Sequence, residues 1–234
     1  MTAYKWADLD RETLRSLLPG AVVVIAVGAV EQHGPHLPTG TDSLIAGVVT
    51  ERAADRAGVP VIVAPAIVVG ASDHHLPFGG TISLRPTTLL ALIGDVLNCL
   101  AAAGARKVLL VNGHGGNSGL CHAAASEASS RLGIAVGHLD YWHLLPAAPG
   151  HAGEFETGLV RVIAPHLVGE VKPRNAPAVP YQVEGITMHS PEIWAAIDGF
   201  TDDPSQAEVA RSRERLDHII AALSTCMREF ERSS

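Results

Sequence analysis

Along most of the chain, short apolar runs alternate with stretches of helical periodicity, and each run opens into a polar loop rich in glycine. Residues 10–18 predict a short helix closed by Pro19 and Gly20. Residues 21–27 then predict a strand, and residues 28–40 a Gly/Pro-rich loop. A helix is expected from Thr41 or Asp42 to about residue 57, stopped by Gly58. A second apolar run covers residues 59–69, followed by a polar loop over 70–80 and a short strand over 81–84. Residues 87–103 predict a long helix, 108–111 a buried strand, 118–132 a helix and 134–139 another strand.

Past Tyr141 the rhythm weakens. Residues 154–163 look helical, 165–191 irregular and Pro-rich, and 204–230 form an amphipathic helix. In that last element Val209, Leu216, Ile219, Ile220, Leu223, Met227 and Phe230 recur at helical spacing. Strands and helices alternating at these lengths predict an α/β protein: a three-layer α/β/α sandwich with a mostly parallel central sheet. Neither a repeat nor a long linker divides it, so residues 1–234 are expected to form a single domain.

Composition narrows the function classes. The chain has 234 residues, 47% of them hydrophobic and 18% charged, which suits a large folded core. A net charge of −7 argues against nucleic acid as a general partner. Cys99, Cys121 and Cys226 show no CxxC spacing and read as core residues in a reducing compartment. No apolar run approaches ~18 residues and no h-region opens the chain, so neither a membrane span nor an export signal is expected. The expected location is cytoplasmic.

The candidate chemistry lies in the polar loops. Half of the 12 histidines (His33, His36, His74, His75, His114 and His151) fall in or beside them. Carboxyl ends of parallel strands share one sheet edge, where open α/β folds place ligands. Glu31 and His33, two apart in extended chain, face one point while Gln32 faces away. With Asp42 and His114 they form a mixed N/O set suited to Zn²⁺, Mn²⁺ or Fe²⁺. Glu154 and Glu156 follow His151; on a helix they diverge, and Glu156 is the expected ligand. Blander readings exist: Asp42 as a helix cap, and the glycine turn at His114 as a cradle for an anionic ligand such as a sugar phosphate or nucleotide. Neither GxxxxGK[ST] nor a GxGxxG after a strand supports that cradle, and Ser118 lacks the GxSxG context of a nucleophile. Adjacent His74 and His75 would face opposite ways, so one of them, His75, is expected in the pocket wall with Gly115 and Gly116.

Gly28-Ala-Val-Glu31-Gln-His33-Gly-Pro-His-Leu-Pro38, Thr41-Asp42, Asn112-Gly-His114-Gly-Gly-Asn117 and His151-Ala-Gly-Glu-Phe-Glu156-Thr157 resemble the creatininase family of metal-dependent amidohydrolases. The resemblance implies a two-metal site, two divalent ions with zinc first expected, and a homohexamer. It also implies that Glu31, His33, Asp42 and His114 bind metal, with Asp42 bridging, and that His151 lies beside the substrate. Creatininase itself carries a metal-binding glutamate where Gly116 stands, and that role is expected to pass to Glu156. Its aromatic clamp has only Trp142 as a counterpart in the matching region. The expected reaction is hydrolysis of a C–N bond in a small amide (a cyclic amide, a formamide or a short peptide), creatinine itself being disfavoured. A hydroxide bridging the metals would attack, and His151, backed by Glu154, would move the proton.

Overall fold

The computed structural model describes residues 3–146, 150–175 and 188–233. In chain order the strands are β1 (Tyr4–Lys5), β2 (Val22–Val27), β3 (Val61–Val63), β4 (Lys107–Asn112) and β5 (Ala135–Asp140). The α-helices are α1 (Arg11–Leu17), α2 (Thr41–Arg56), α3 (Pro86–Ala103), α4 (Ser118–Leu132), α5 (Glu154–Ile163), α6 (Pro191–Ala196) and α7 (Val209–Arg232). The strands form one sheet in the order β1-β3-β2-β4-β5, every described pairing parallel.

The sheet's two faces can be read from the alternation within its central strands. Val23, Ile25, Val108 and Leu110 point to one side, packing with Leu89, Ile93 and Leu97 of α3 and Cys121 and Ala124 of α4. Val22, Val24, Leu109 and Val111 point to the other, against Ile45 and Val49 of α2, Leu159 of α5 and Ile219, Leu223 and Met227 of α7. Burial on both faces is why these strands are apolar throughout. A helix thus covers each face, giving the three layers expected.

Register places the site. Val27 pairs with Asn112, so the chain leaves β2 and β4 side by side at Gly28 and Gly113. Connections from β2 run to β3 on one side and from β3 over to β4 on the other, which opens a crevice at the carboxyl ends of β2 and β4. Gly113 is needed there: a Cβ would stand 2.8 Å from both the Asp42 carbonyl oxygen and the Ala46 Cβ, so glycine lets the start of α2 seat against the turn.

Several boundaries differ from the expectation. Of the apolar run 59–69 only Val61–Val63 pairs as a strand, because Pro65 has no N–H for the ladder; Ile67 makes a lone bridge to Val27. Residues 81–84 form no strand, only a bridge from Ile82 to Val30. α6 lies at the edge of the stretch read as irregular, capped by Ser190, whose side chain accepts from the Ile193 N–H. α7 begins at Val209, after a separate 3₁₀ turn at Pro204–Gln206. α3, 18 residues with a mean hydropathy of 1.5, is long and apolar enough to cross a membrane, contrary to the reading of apolar runs. Here it packs on the sheet through Leu89, Ile93 and Leu97.

Candidate metal centre

Backbone hydrogen bonds and two asparagines hold the loops at this edge together. Asn112 Nδ2 donates to the His114 carbonyl (2.7 Å) and to Asp140 Oδ1 (2.7 Å), while its Oδ1 accepts from the His114 N–H (3.1 Å). Asn117 accepts from the Ala71 N–H (2.9 Å) and donates to the Gly28 carbonyl (3.0 Å), tying three loops to one side chain. Within the turn the Gly113 N–H donates to the Val27 carbonyl (2.8 Å) and the Asn117 N–H to the His114 carbonyl (3.0 Å), which fixes its course.

Into this frame project Glu31, His33, Asp42, His114 and Glu156, all buried. Asp42 lies between the two imidazoles: its Oδ1 is 3.0 Å from His33 Nε2 and its Oδ2 3.2 Å from His114 Nδ1. Glu31 Oε2 also lies 3.2 Å from His114 Nδ1, and Glu156 Oε2 lies 3.6 Å from His33 Nε2. Two pockets of mixed donors thus share one aspartate. Asp42 does not cap its helix: Gly40 holds the cap position and no side chain bonds there.

The imidazoles are already oriented. His33 Nδ1 is 3.2 Å from the Glu31 carbonyl and His114 Nε2 is 3.2 Å from the Ala71 carbonyl. A carbonyl only accepts, so each ring spends an N–H there and turns the lone pair of its other nitrogen toward the carboxylates. Metal-binding histidines are held in this way. Moreover, both Glu31 carboxylate oxygens, Asp42 Oδ2 and His33 Nε2 are buried without a hydrogen-bond partner among the described residues. Buried acceptors facing buried acceptors need a cation between them. Ligand atoms of Glu31, His33 and Asp42 lie within 4.8 Å of one another, as do those of His33, His151 and Glu156.

Protons substitute for that cation in the metal-free chain. Burial alone would depress His33, but Asp42 and Glu156 outweigh it and hold the ring well above the ordinary histidine value. For His114 burial is outweighed chiefly by Glu31 and Asp42, which lift it to about 10. Burial and the neighbouring Asp42 raise Glu31. Burial would raise Asp42 too, but His33 and His114 keep its carboxyl well below the usual range.

His151 stands at the rim of this cluster, its Nδ1 3.5 Å from Glu31 Oε1 and its Nε2 3.1 Å from the Gln32 carbonyl. Burial, then His33 and His75, push it well below the ordinary histidine value, so the ring is neutral. Chain reversal at Ala152 (φ 51°) brings it there, and the Ala152 N–H donates to Glu156 Oε2. Glu154 is a correction. It points away from the cluster, to Arg211 (2.9 Å) and Arg215 (2.7 Å), because two residues of helix turn it toward α7.

Above the cluster opens a cavity of about 1050 Å³ whose walls include Trp142, Gly115 and Gly116. His74 and His75 both enter it, contrary to the reading from extended chain, because Asp73–Phe78 is a 3₁₀ turn. Trp194 of α6, absent from the sequence reading, forms a further wall, its ring centroid 4.6 Å from that of His75. Its signal was the helix start Ser190-Pro-Glu192.

Comparison with known proteins agrees with this geometry. The family model described as "Creatininase: Creatinine amidohydrolase" matches residues 5–227. Mycofactocin precursor peptide peptidase of Mycobacterium tuberculosis (strain CDC 1551 / Oshkosh) is 34% identical over 222 residues, covering 90% of this chain and 84% of that protein. Creatinine amidohydrolase of Pseudomonas putida is 30% identical over 213 residues, covering 79% of this chain and 75% of the relative. A solved structure named "Creatininase Mn" superposes with a TM-score of 0.84 at 25% identity, covering 97% of this chain and 98% of that one. The chain belongs to the creatininase family.

Proposed function

We propose that this chain is a metal-dependent amidohydrolase that cleaves a C–N bond in a short peptide, with two divalent ions held by Glu31, His33, Asp42, His114 and Glu156. One observation carries the reading: buried carboxylate oxygens and an imidazole nitrogen without partners converge on the floor of a large, apolar-walled cavity. The pocket that includes Glu31, His114 and Asp42 and the pocket that includes His33, Asp42 and Glu156 would each take one ion. Zinc and manganese both suit this N/O set.

When bound, such ions polarise the substrate carbonyl and ease deprotonation of water, lowering its pKa from 15.7 towards ~7. The chain's own residues do the rest. Asp42 and Glu31 set the spacing of the site. His151 Nδ1, unprotonated because Nε2–H is spent on the Gln32 carbonyl, takes a proton from the attacking water. The water oxygen bonds to the carbonyl carbon, the C–N bond breaks, and Nδ1 returns the proton to the leaving nitrogen. Trp142, Trp194, Pro77 and Phe78 exclude solvent and receive the remainder of the substrate. A cavity of about 1050 Å³ far exceeds the needs of one small ring, and the relative named as a peptidase aligns over most of the chain. A peptide is favoured on both counts.

Protein stripped with chelator, then reloaded with zinc or manganese, should be offered creatinine, a formamide and short peptides, with products read by mass. Metal-restored peptide cleavage is expected; turnover of creatinine alone would overturn the substrate assignment, and hydrolysis undiminished in stripped protein would overturn the reading altogether. Stripping should also lower the melting temperature by ~10 °C, the effect of a ligand present at ~1,000 times its Kd on a chain of this size.

Loading should release protons as well. His33 and His114 are both protonated at pH 7 without metal, and both must surrender a lone pair to bind it. Proton and metal compete, so affinity rises with pH up to about 10, where His114 gives up its proton unaided. Titration calorimetry in buffers of differing ionisation enthalpy should count roughly two protons per chain. No release would show that other groups hold the ions.

A further inference from the structure

Five histidines lie at the cluster (His33, His74, His75, His114 and His151), and three of them are alike. His33, His114 and His151 each spend one N–H on a backbone carbonyl, of Glu31, Ala71 and Gln32 respectively, and turn the other nitrogen to the site. Among the described residues the His75 ring meets no such carbonyl. Its Nδ1 meets Gln32 Nε2 at 2.9 Å instead, and its Nε2 lies 3.4 Å from Glu31 Oε1.

Which end of the Gln32 amide faces His75 follows from its other partners. The Gly34 N–H donates to Gln32 Oε1 at 2.9 Å, and Gln32 Nε2 donates to the Gly199 carbonyl at 2.6 Å. Reversing the amide would set oxygen against the Gly199 oxygen and NH₂ against the Gly34 N–H, so the orientation is unique. Of the candidates for the amide's other N–H, His151 Nε2 at 3.3 Å already carries a hydrogen toward the Gln32 carbonyl, so His75 Nδ1 at 2.9 Å receives it, and an NH₂ group only donates. Nδ1 of His75 must accept, and the ring's proton sits on Nε2, facing Glu31.

We infer that Gln32 is a positioning residue: it locks His75 in the Nε2–H tautomer, so that His75 enters the site as a neutral donor toward Glu31 and not as another metal ligand. This rests on the two-ion reading above for its purpose, though not for its geometry. A nitrogen that carries a proton cannot coordinate a cation, so His75 stays outside both pockets despite lying within reach of Glu31 and His151. Its proton approaches Glu31 Oε1, an oxygen with no aligned partner in the metal-free arrangement. The other oxygen, Oε2, is left facing His114. A donor of this kind holds a ligand carboxylate in one orientation.

Protein labelled with ¹⁵N-histidine and loaded with zinc alone tests the inference by imidazole ¹⁵N shifts, with His75 assigned by its loss in His75→Asn. Wild type should show a bare Nδ1 and a protonated Nε2 on His75. Gln32→Met, similar in length but unable to donate, should relax that preference and weaken zinc binding by ~10–100-fold in a competition titration. Gln32→Glu should move the proton to Nδ1, since a carboxylate there accepts. A zinc-shifted or Nδ1-protonated His75 in wild type would overturn the inference even if neither variant folds. So would a Gln32→Met protein that keeps both the wild-type tautomer and the wild-type affinity. Failure of the two-ion reading shows separately, as zinc stoichiometry below two in wild type.

Discussion

Asp42→Asn is expected to lose both ions and nearly all hydrolysis while keeping its fold. Asp42 spans the two pockets, with Oδ1 toward His33 and Oδ2 toward His114, so an amide there offers one oxygen and presents NH₂ to the other site. Outer-sphere partners of metal ligands are worth ~10–100-fold, so loss of a shared inner ligand should exceed ~100-fold in both affinity and turnover. Helix α2 should tolerate the change. Gly40 occupies the cap, so the helix loses only the attraction of a first-turn carboxylate to its dipole, about 0.3–1 kcal/mol; the stripped protein also loses the pairing of Asp42 with the protonated His33 and His114. Relief of repulsion between Asp42 and Glu31 offsets part of that loss. Metal analysis, turnover and a melting curve of the stripped protein decide the matter together. Full occupancy with full activity in Asp42→Asn would refute the bridging role.

The parts of this site that were legible in the sequence are those governed by strand ends. An apolar run followed by polar residues locates the sheet's carboxyl edge, and parallel pairing then forces the loops after β2 and β4 together. Two-residue alternation placed Glu31 and His33 on one side. Helical spacing separated Glu156 from Glu154 before either had a partner. What alternation could not show was the far side of the loop. Gln32 points away from the cluster's floor as expected, but its side chain is buried there against His75, Gly199 and the rim of His151. Those partners come from residues 43 and more positions away, so no local pattern announces them.

His74 and His75 were misread for a related reason. Extended chain alternates sides, whereas a 3₁₀ turn brings successive residues round in steps of a third of a circle, and the Pro77 that punctuates this turn gives little warning of it. Trp194 was hidden in a stretch whose prolines break periodicity, so its helix shows only through Ser190, Pro191 and Glu192. Fold-level organisation is thus repeated along the whole chain, while the second layer of the site depends on single long-range contacts.

His151→Ala should leave the metals in place and lower turnover by ~10²–10⁴-fold, the usual worth of a positioned proton carrier. Its Nε2–H is committed to the Gln32 carbonyl, so Nδ1 is the atom that faces the chemistry. Burial and the neighbouring His33 and His75 keep the ring neutral, which makes it a base that can first take a proton and then give it up. No ligand atom of the floor hangs on it: Asp42 and Glu156 reach His33, and Glu31 and Asp42 reach His114, without its help. His114→Ala should behave differently and lose metal along with activity. Because loss of an interaction made only in the transition state lowers kcat and kcat/KM equally, both should fall together in His151→Ala, with metal content unchanged. Glu154 cannot take over the proton, since Arg211 and Arg215 hold its carboxylate away from the cavity. Equal metal loss in the two variants would make His151 a ligand, a role its place beside His33 and Glu156 permits geometrically. Unchanged turnover in His151→Ala would instead exclude Nδ1 as the carrier and leave the leaving nitrogen to be protonated from solvent.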